Sequence, residues 1–303
     1  MRTASPLLAA SFWIAAGAGL SSAQERLYEP TPLTEVNSFT GEIEGPAVDR
    51  AGNIYAVSFA RKPTIGRVTP DGKAELFLDM PGGSLANGIR FDRQGRMFVA
   101  DYANHNVLLV DVVTRAVRTF AHNPDMNQPN DLAITAAGEL YASDPNWKDG
   151  TGQIWFIDRK GNMRRVASGM GTTNGIDISP DGRTLYVNES VQRNIWAFRI
   201  EPGGALTGKR LLIRFPDHSF DGMRVDVDGN LYATRHGKGV VAKISPDGRL
   251  IREIPVLGSK PSNICFGGPD GRTAYVTEME KGRLVQFRVE RPGLEWTRWP
   301  GRR

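Results

Sequence analysis

The hydrophobic and polar positions along the chain repeat one short unit, which reads as strand, turn and strand. In Asn174–Glu189, Ile176 and Ile178 alternate with small or polar residues, which is the period of a half-buried strand. Ser179–Gly182 (SPDG) supplies turn residues, and a second hydrophobic run begins at Leu185. The pattern predicts a β-hairpin at this point in the chain.

The same unit occurs six times, and each copy carries a glycine in its turn. The glycines recur at intervals of 42 to 47 residues, at Gly52, Gly95, Gly138, Gly182, Gly229 and Gly271. A fixed period of this length, with several short strands per period, is typical of a β-propeller. The sequence therefore predicts an all-β fold, a six-bladed β-propeller with four-stranded antiparallel blades, in which each blade is buried against its neighbours.

The two ends of the chain must meet for the propeller to close. The sixth repeat has one strand too few, because only a turn and a Trp-rich tail follow Arg283–Val289. We expect the segment Leu33–Phe39, which precedes the first full repeat, to complete the last blade. The tail Trp296–Trp299 is the alternative.

The N-terminal segment has the composition of a secretory signal peptide. A single charge at Arg2 precedes the apolar stretch Leu7–Leu20, and Ser21–Ala23 provides small residues for cleavage. No other stretch of the sequence approaches the ~20 apolar residues that a membrane span requires. We therefore predict a signal peptide at residues 1–23, a single propeller domain at residues 24–303, no membrane association of the mature form, and a secreted or periplasmic location.

Two features of the composition, the net charge and the number of cysteines, bear on the function. The formal net charge is +5, but the basic residues are scattered along the chain, so the charge does not indicate nucleic-acid binding. The chain has one cysteine, Cys265, within the apolar run Ile264–Phe266, and we expect it to be a buried strand residue. One cysteine cannot form an intrachain disulfide.

A polar residue lies eight positions before each turn glycine. In repeat order, these residues are Glu44, Asn87, Asn130, Asn174, Asp221 and either Ser262 or Asn263. The position opens the innermost strand of each blade, so radial repetition places all six side chains at one height around the central axis. Carboxylates and amides at that height form a ring of oxygen atoms.

Such a ring suits a hard divalent cation. Calcium binds about six to eight oxygen atoms of carboxylates, amide carbonyls and waters, and Glu44, Asn130, Asn174 and Asp221 are the predicted ligands of Ca²⁺ or another divalent cation. We expect Asn87 to lie near the ion or to contact substrate. The absence of Cys and His from the ring disfavours zinc. The alternative is that these side chains cap strand ends and bind water.

The loops on the same face as this ring are predicted to form the mouth of a substrate pocket. They are polar and aromatic, as a small-molecule site requires. We expect Trp147 to line the pocket, because it lies beyond the end of its strand. His105 and His236 lie on these loops and are candidates for proton transfer, although a loop histidine is more often simply solvated.

Several of these segments together resemble a known family. They are, in chain order, Glu44–Pro46 (EGP), Pro129–Leu132 (PNDL), Asn174–Ile176 (NGI), Asp221–Met223 (DGM) and Pro261–Asn263 (PSN). Over about Glu44–Val289 the chain resembles the senescence marker protein, gluconolactonase and luciferin-regenerating enzyme family. The resemblance implies a six-bladed propeller with a divalent cation, often calcium, in its central channel. It also implies hydrolysis of lactones, as in many members, or of organophosphates, as in close relatives.

The resemblance assigns roles to individual residues. It implies that Glu44, Asn174 and Asp221 bind the metal, and that Asn130 is either a ligand or a substrate contact. Asp221 also matches the residue proposed as base or nucleophile in the family. Gln128 takes the place of an arginine that contacts the sugar lactone in gluconolactone-hydrolysing animal members, so we include it among the candidate substrate-binding residues.

The predicted function is therefore that of a secreted, calcium-dependent lactonase, in which the metal activates the lactone carbonyl for attack. Two alternatives stay open. The same metal site would also serve an arylesterase or a phosphotriesterase, and a binding propeller would keep the ion for a purely structural role. In each case the expected partner is a small molecule.

Overall fold

The chain folds into six β-sheets arranged around a central axis. The structure is a computed structural model that describes Met1 and residues 25–302, so the predicted signal peptide, apart from Met1, lies outside the described residues. Within residues 25–302, twenty-four strands form six four-stranded sheets, and neighbouring strands in each sheet are antiparallel. The prediction of an all-β, six-bladed propeller is confirmed.

The first strand in the chain, β1 (Thr31–Pro32), belongs to the last blade. Blades one to three follow it, and each uses four consecutive strands from the innermost to the outermost. These strands are β2 (Ala47–Val48), β3 (Ile54–Val57), β4 (Thr64–Val68) and β5 (Ala74–Asp79); β6 (Ala86–Phe91), β7 (Met97–Asp101), β8 (Asn106–Val110) and β9 (Val117–His122); and β10 (Leu132–Ile134), β11 (Leu140–Asn146), β12 (Thr151–Ile157) and β13 (Met163–Met170).

Blades four and five are built in the same way, and blade six combines three C-terminal strands with β1. A short helix, α1, follows the last strand. These elements are β14 (Thr173–Ile178), β15 (Thr184–Glu189), β16 (Asn194–Ile200) and β17 (Leu206–Arg214); β18 (Ser219–Val225), β19 (Leu231–His236), β20 (Val240–Ile244) and β21 (Leu250–Pro255); and β22 (Pro261–Gly267), β23 (Thr273–Glu278), β24 (Arg283–Arg288) and α1 (Leu294–Thr297).

The N-terminal segment closes the ring, but through a shorter and earlier strand than the sequence indicated. β1 pairs with β24 as the outermost strand of blade six, and Pro32 is tolerated because this is an edge strand. The predicted strand Leu33–Phe39 is wrong in its position. The chain bends at Leu33 and Thr34 directly after β1, and Asn37 adopts a left-handed backbone, φ 62°, within the turn that follows, so this segment is not extended. The alternative closure by Trp296–Trp299 is also wrong, because this tail forms part of α1 and the turn after it.

Among the described residues, six hydrophobic clusters hold the blades together, and each lies between two adjacent blades. Between blades one and two, for example, Tyr55 and Phe77 pack with Ile89 and Met97. The cluster between blades six and one includes Cys265, a free and fully buried thiol, as predicted. Because this last cluster joins the two ends of the repeat, every blade buries both faces only when the ring is closed.

The turn glycines adopt the backbone conformation that the hairpins require. All six lie at positive φ, from 71° at Gly182 to 93° at Gly52, a region that other residues rarely enter. In blade one the Asp49 carboxylate also accepts the N–H of Asn53 at 2.8 Å, which fixes the turn from inside. The residues that determine each hairpin therefore lie within its own turn, and the turn glycine recurs in every blade.

The innermost strands carry buried charged side chains on the propeller axis. The fully buried Asp131 carboxylate lies 2.9 Å from Arg90 Nη2 and 3.0 Å from Arg224 Nη1. Although burial alone would raise it, these two guanidinium groups hold the pKa of Asp131 below its ordinary value. The three residues come from blades three, two and five, so the ion pairs join three blades across the centre.

The C-terminal segment covers the end of the channel at which the innermost strands finish. The Glu295 carboxylate on α1 accepts the N–H of Phe266 at 2.9 Å and lies 3.8 Å from Arg224 Nε. The buried Trp296 donates its indole N–H to the carbonyl of Gly268 at 3.0 Å. In the part of the chain that the structure describes, no helix has the length and apolarity needed to cross a membrane.

Replacing Asp131 with asparagine removes the carboxylate that pairs with Arg90 and leaves Arg224 with only the more distant Glu295 carboxylate, at 3.8 Å. We expect the Asp131→Asn protein to lose about 3–5 kcal/mol of unfolding free energy, the usual cost of removing one partner of a buried ion pair. Urea denaturation in the presence of a chelator measures this loss without a contribution from bound metal.

The matched control is Asp228→Asn. Asp228 also pairs with an arginine, Arg291, at 2.8 Å, but both side chains are about half exposed. This change should alter the unfolding free energy by less than about 1 kcal/mol. Equal losses in the two variants would contradict the structural role that we give to the axial ion pairs.

Candidate active site and metal centre

The polar residues of the predicted ring lie where the innermost strands begin. Asn87, Asn174 and Asp221 are in β6, β14 and β18, and Glu44 and Asn130 shortly precede β2 and β10. In β6, β14 and β18 the strand pairing shifts its register beside the ring residue. Such an irregularity changes the direction in which side chains point. Here it occurs where the ring side chains point toward the axis.

A cavity of about 400 Å³ opens at this end of the channel, and the five ring residues just named all line it. The sixth position, which the sequence left open, is arranged differently. Ser262 donates its hydroxyl to the carbonyl of Ile43 at 2.7 Å, and Asn263 donates its side-chain amide to Glu44 at 2.9 Å. Neither residue lines the cavity, so the repeat brings five of its six ring positions together there.

Three oxygen atoms of the ring are buried without a hydrogen-bond partner: Glu44 Oε1, Asn130 Oδ1 and Asn174 Oδ1. An unsatisfied buried acceptor costs about 1–3 kcal/mol, so a cation that binds these oxygens would stabilise the site. Within the described residues no group of three or more His, Cys, Asp or Glu gathers as a metal site. With Asp221, the candidate centre instead has two carboxylates and two amides, a set that fits Ca²⁺.

The two carboxylates of the centre are poorly solvated and repel each other. Burial, followed by the charge of Glu44, raises the pKa of Asp221 well above its ordinary range. Burial raises the pKa of Glu44 to about 7, although hydrogen bonds from Asn263 and Gly45 act in the opposite direction. Because a cation must displace any bound proton, we expect metal binding here to weaken as the pH falls.

Hydrogen bonds hold the ligands with their free oxygen atoms toward the cavity. Asn174 donates its amide N–H to Ser190 at 3.0 Å, which leaves its oxygen unpartnered. Asn263 Nδ2 lies 2.9 Å from Glu44 Oε2 and 3.4 Å from Asp131 Oδ2, so it links the candidate ligand to the axial ion pairs. Gly222 makes room for this amide, since a Cβ there would lie 1.9 Å from Asn263 Cγ.

This supporting layer was not predicted from the sequence, although the repeat contains a signal for it. The residue after the ring position is glycine in four repeats, but Asp131 and Asn263 occupy it in the third and sixth. Two positions further on, the second, fourth and fifth repeats carry a charged residue, at Arg90, Asp177 and Arg224. All five side chains are buried. Charged residues within apolar innermost strands require partners on the axis, and the same alignment of repeats could have identified them.

The structure places Trp147 and His236 on the cavity wall, together with Tyr102. Burial and the positive charge of Lys260 lower the pKa of His236 below 6.5. The His236 imidazole is therefore neutral, and able to accept a proton, at neutral pH.

His105 and Gln128 are not among the residues that line the cavity. The backbone N–H of Gln128 donates to the Asp144 carboxylate at 2.7 Å, which ties its loop to blade three. His105 has a left-handed backbone, φ 59°, and its carbonyl accepts the N–H of Asn123 at 3.3 Å. The structure does not bring these two residues to the cavity wall, and their predicted contact with substrate stays a prediction.

Removing one ligand charge tests the metal centre directly. Glu44→Gln keeps the shape of the side chain but removes one of two negative charges. We expect the Kd for Ca²⁺ to rise about tenfold or more, because unit charges ~4 Å apart interact by about 4 kcal/mol even at an effective dielectric constant of about 20. Isothermal titration calorimetry of protein freed of metal by chelation measures this Kd.

Glu42→Gln is the matched control, since Glu42 lines the same cavity but is exposed and pairs with Lys62. Its loss should change the Kd by less than about threefold, because solvent and salt screen this charge. A similar rise in both variants, or no Ca²⁺ binding by the unaltered protein, would count against the centre.

Two enzymes are similar to this chain over most of its length. The chain is 28% identical over 283 residues to a gluconolactonase of Zymomonas mobilis, and the alignment covers 82% of this chain and 79% of the relative. It is 26% identical over 294 residues to a diisopropyl-fluorophosphatase of Loligo vulgaris, with coverage of 86% and 93%.

The fold is also shared with solved structures. The calcium-binding protein regucalcin of Agrobacterium tumefaciens superposes with a TM-score of 0.75, covering 89% of this chain and 95% of the other. At 20% sequence identity this likeness shows the fold alone. Residues 43–280 match the family described as the SMP-30/gluconolactonase/LRE-like region. The chain therefore belongs to the SMP-30/gluconolactonase/LRE-like family, as the resemblance in its sequence indicated.

Proposed function

We propose that this protein is a lactonase that uses Ca²⁺ or another divalent cation held by Glu44, Asn130, Asn174 and Asp221. The observation that carries the proposal is a set of three buried, unpartnered oxygen atoms, one of them on Glu44, in the cavity that Asp221 also lines. The similarity to a gluconolactonase over 82% of the chain supports the reaction class. The composition of residues 1–23 supports the further proposal that the enzyme is secreted or periplasmic.

When bound, the cation would act as a Lewis acid that polarises the carbonyl group of a lactone. The Asp221 carboxylate lies in the same cavity, where it would take a proton from an attacking water molecule. Water adds to the carbonyl carbon, the ring C–O bond breaks, and the proton passes to the departing alkoxide, which yields a hydroxy acid. The neutral imidazole of His236 is a second group that can accept this proton.

A second candidate reaction is the hydrolysis of a phosphotriester or an aryl ester. The 26% identity to a diisopropyl-fluorophosphatase, which extends over 93% of that relative, favours it. The same residues would then direct water to phosphorus or to an ester carbonyl. The donor set of the metal centre does not distinguish these bonds, so the distinction requires substrate assays.

Hydrolysis assays with and without metal separate these possibilities. We expect the protein to release protons from lactones at constant pH, to lose this activity on chelation, and to regain it when Ca²⁺ is added back. Faster turnover of phosphotriesters or aryl esters would favour the second candidate. If Ca²⁺ binds but none of the three classes is hydrolysed, the protein is instead a binding propeller with a structural ion.

One substitution separates the two roles proposed for Asp221. Asp221→Asn keeps the shape and one ligand oxygen but removes the charge and the base. We expect weaker Ca²⁺ binding and, at Ca²⁺ concentrations that saturate the variant, a kcat still about 10²–10⁴-fold lower, the usual contribution of a general base. Initial rates of proton release at saturating lactone measure this loss.

Asp125→Asn is the control, because Asp125 is exposed on the loop before β10 and does not line the cavity. Its kcat should stay within about twofold of the unaltered protein, as for most surface substitutions. If saturating Ca²⁺ restored Asp221→Asn to nearly full activity, Asp221 would be a ligand only, and His236 would be the base.

A further inference from the structure

The cavity has two chemically different parts. The ring residues form its inner end, and apolar or aromatic residues contribute to its wall and rim, among them Leu85, Tyr102, Trp147, Val191 and Met279. Trp147 is 37% exposed and Val191 is 59% exposed. These two large side chains therefore present apolar surface to any molecule that enters.

The protein positions the part of the apolar rim that contains Val191. Trp147 and Tyr102 line the same cavity. Val191 donates its backbone N–H to the Thr172 hydroxyl at 3.0 Å, which fixes the loop between β15 and β16. Pockets that bind small molecules combine such apolar walls with a few convergent polar groups, and here the polar groups are the ring residues.

The charges of the cavity do not favour an anionic substrate. Among the described residues that line it, Lys62 is the one Lys or Arg, and its ammonium group pairs with the Glu42 carboxylate. Glu44 and Asp221 add two further carboxylates, which a bound divalent cation would neutralise.

Part of the hydrogen-bonding capacity of the cavity is already used within the protein. Asn87 donates to the carbonyl of Asn130 at 3.1 Å, and Asn174 donates to Ser190 at 3.0 Å. A polyhydroxylated lactone needs a partner for every hydroxyl that leaves water, and each unmatched group lowers its affinity. An apolar substituent has no such requirement and gains affinity from burial.

We infer that the substrate is an uncharged lactone that carries an alkyl or aryl substituent. Its lactone carbonyl lies at the ring residues, and its substituent lies against Trp147 and Val191. A cavity of about 400 Å³ is within the size range of small-molecule pockets. This inference rests on the proposed lactonase function and adds the substrate class.

Lactones that share a six-membered ring and differ in substituent test this inference. δ-Valerolactone has no substituent, δ-decalactone carries a pentyl chain, and D-glucono-1,5-lactone carries hydroxyl groups. We expect kcat/KM for δ-decalactone to exceed that for δ-valerolactone by about tenfold or more, since each buried methylene contributes up to about fourfold. D-glucono-1,5-lactone should be the poorest of the three, after subtraction of spontaneous hydrolysis.

A substitution at the rim tests where the substituent binds. Val191→Ser removes apolar surface from the cavity, and the ratio of kcat/KM for δ-decalactone to that for δ-valerolactone should fall about threefold or more. The matched control is Val113→Ser, which changes a valine that is 87% exposed and lies outside the cavity. This control should leave the ratio unchanged.

The outcomes distinguish the inference from the function on which it rests. An unchanged ratio in Val191→Ser overturns the inference, and so does a kcat/KM for D-glucono-1,5-lactone equal to or above that for δ-decalactone. Either result leaves the lactonase function in place. Hydrolysis of none of the three lactones, with Ca²⁺ bound, removes the proposed function and this inference with it.

Discussion

The ion pairs of Asp131 with Arg90 and Arg224 are the interaction on which the centre of the propeller depends. A buried charge is stabilised only while its partners stay in place, and the three residues of these ion pairs come from three different blades. The hydrophobic packing between blades is non-directional. The axial ion pairs, by contrast, form only when these three blades have one fixed position relative to each other. Closure of the ring is thus fixed from the inside as well as by the clusters between the sheets.

This fixed layer orients the candidate metal ligands. Asn263 contacts Asp131 and Glu44 at once, so one carboxylate oxygen of Glu44 is held by the protein while the other has no partner. The Asn174 side chain has the same arrangement, because its amide nitrogen donates a hydrogen bond to Ser190 and its amide oxygen has no partner. Donors that face the protein and oxygen atoms that face the cavity favour a cation over an anion. The preference for a cation that we expect of this candidate site therefore follows from the hydrogen bonds behind it.

Much of this arrangement could be predicted, because a pattern that repeats in each blade places equivalent residues at equivalent positions around the axis. The turn at Gly182 needs only its own residues, and five ring residues follow from their common distance before the turn glycines. Features that depend on contacts outside the repeat could not be predicted in this way. β1 depends on pairing with β24 at the other end of the chain, and Glu295 belongs to a tail without a repeat pattern. The placement of Asn263 depends on a register shift within β22.

The candidate metal ligands and the residues that we propose to select the substrate belong to different parts of the fold. The repeat places the ring residues of five blades at the cavity, and the axial layer holds two of them, Glu44 and Asn130, through Asn263 and Asp131 or through the adjacent backbone. Trp147 and Val191 instead lie on loops between strands, where a change leaves the strand pairing intact. A gluconolactonase and a diisopropyl-fluorophosphatase are almost equally similar to this chain, at 28% and 26% identity. The repeat sets the ring, and the loops above it vary independently. Under the proposed function, the same candidate metal centre would therefore serve different bonds, and the residues at the rim would select the substrate.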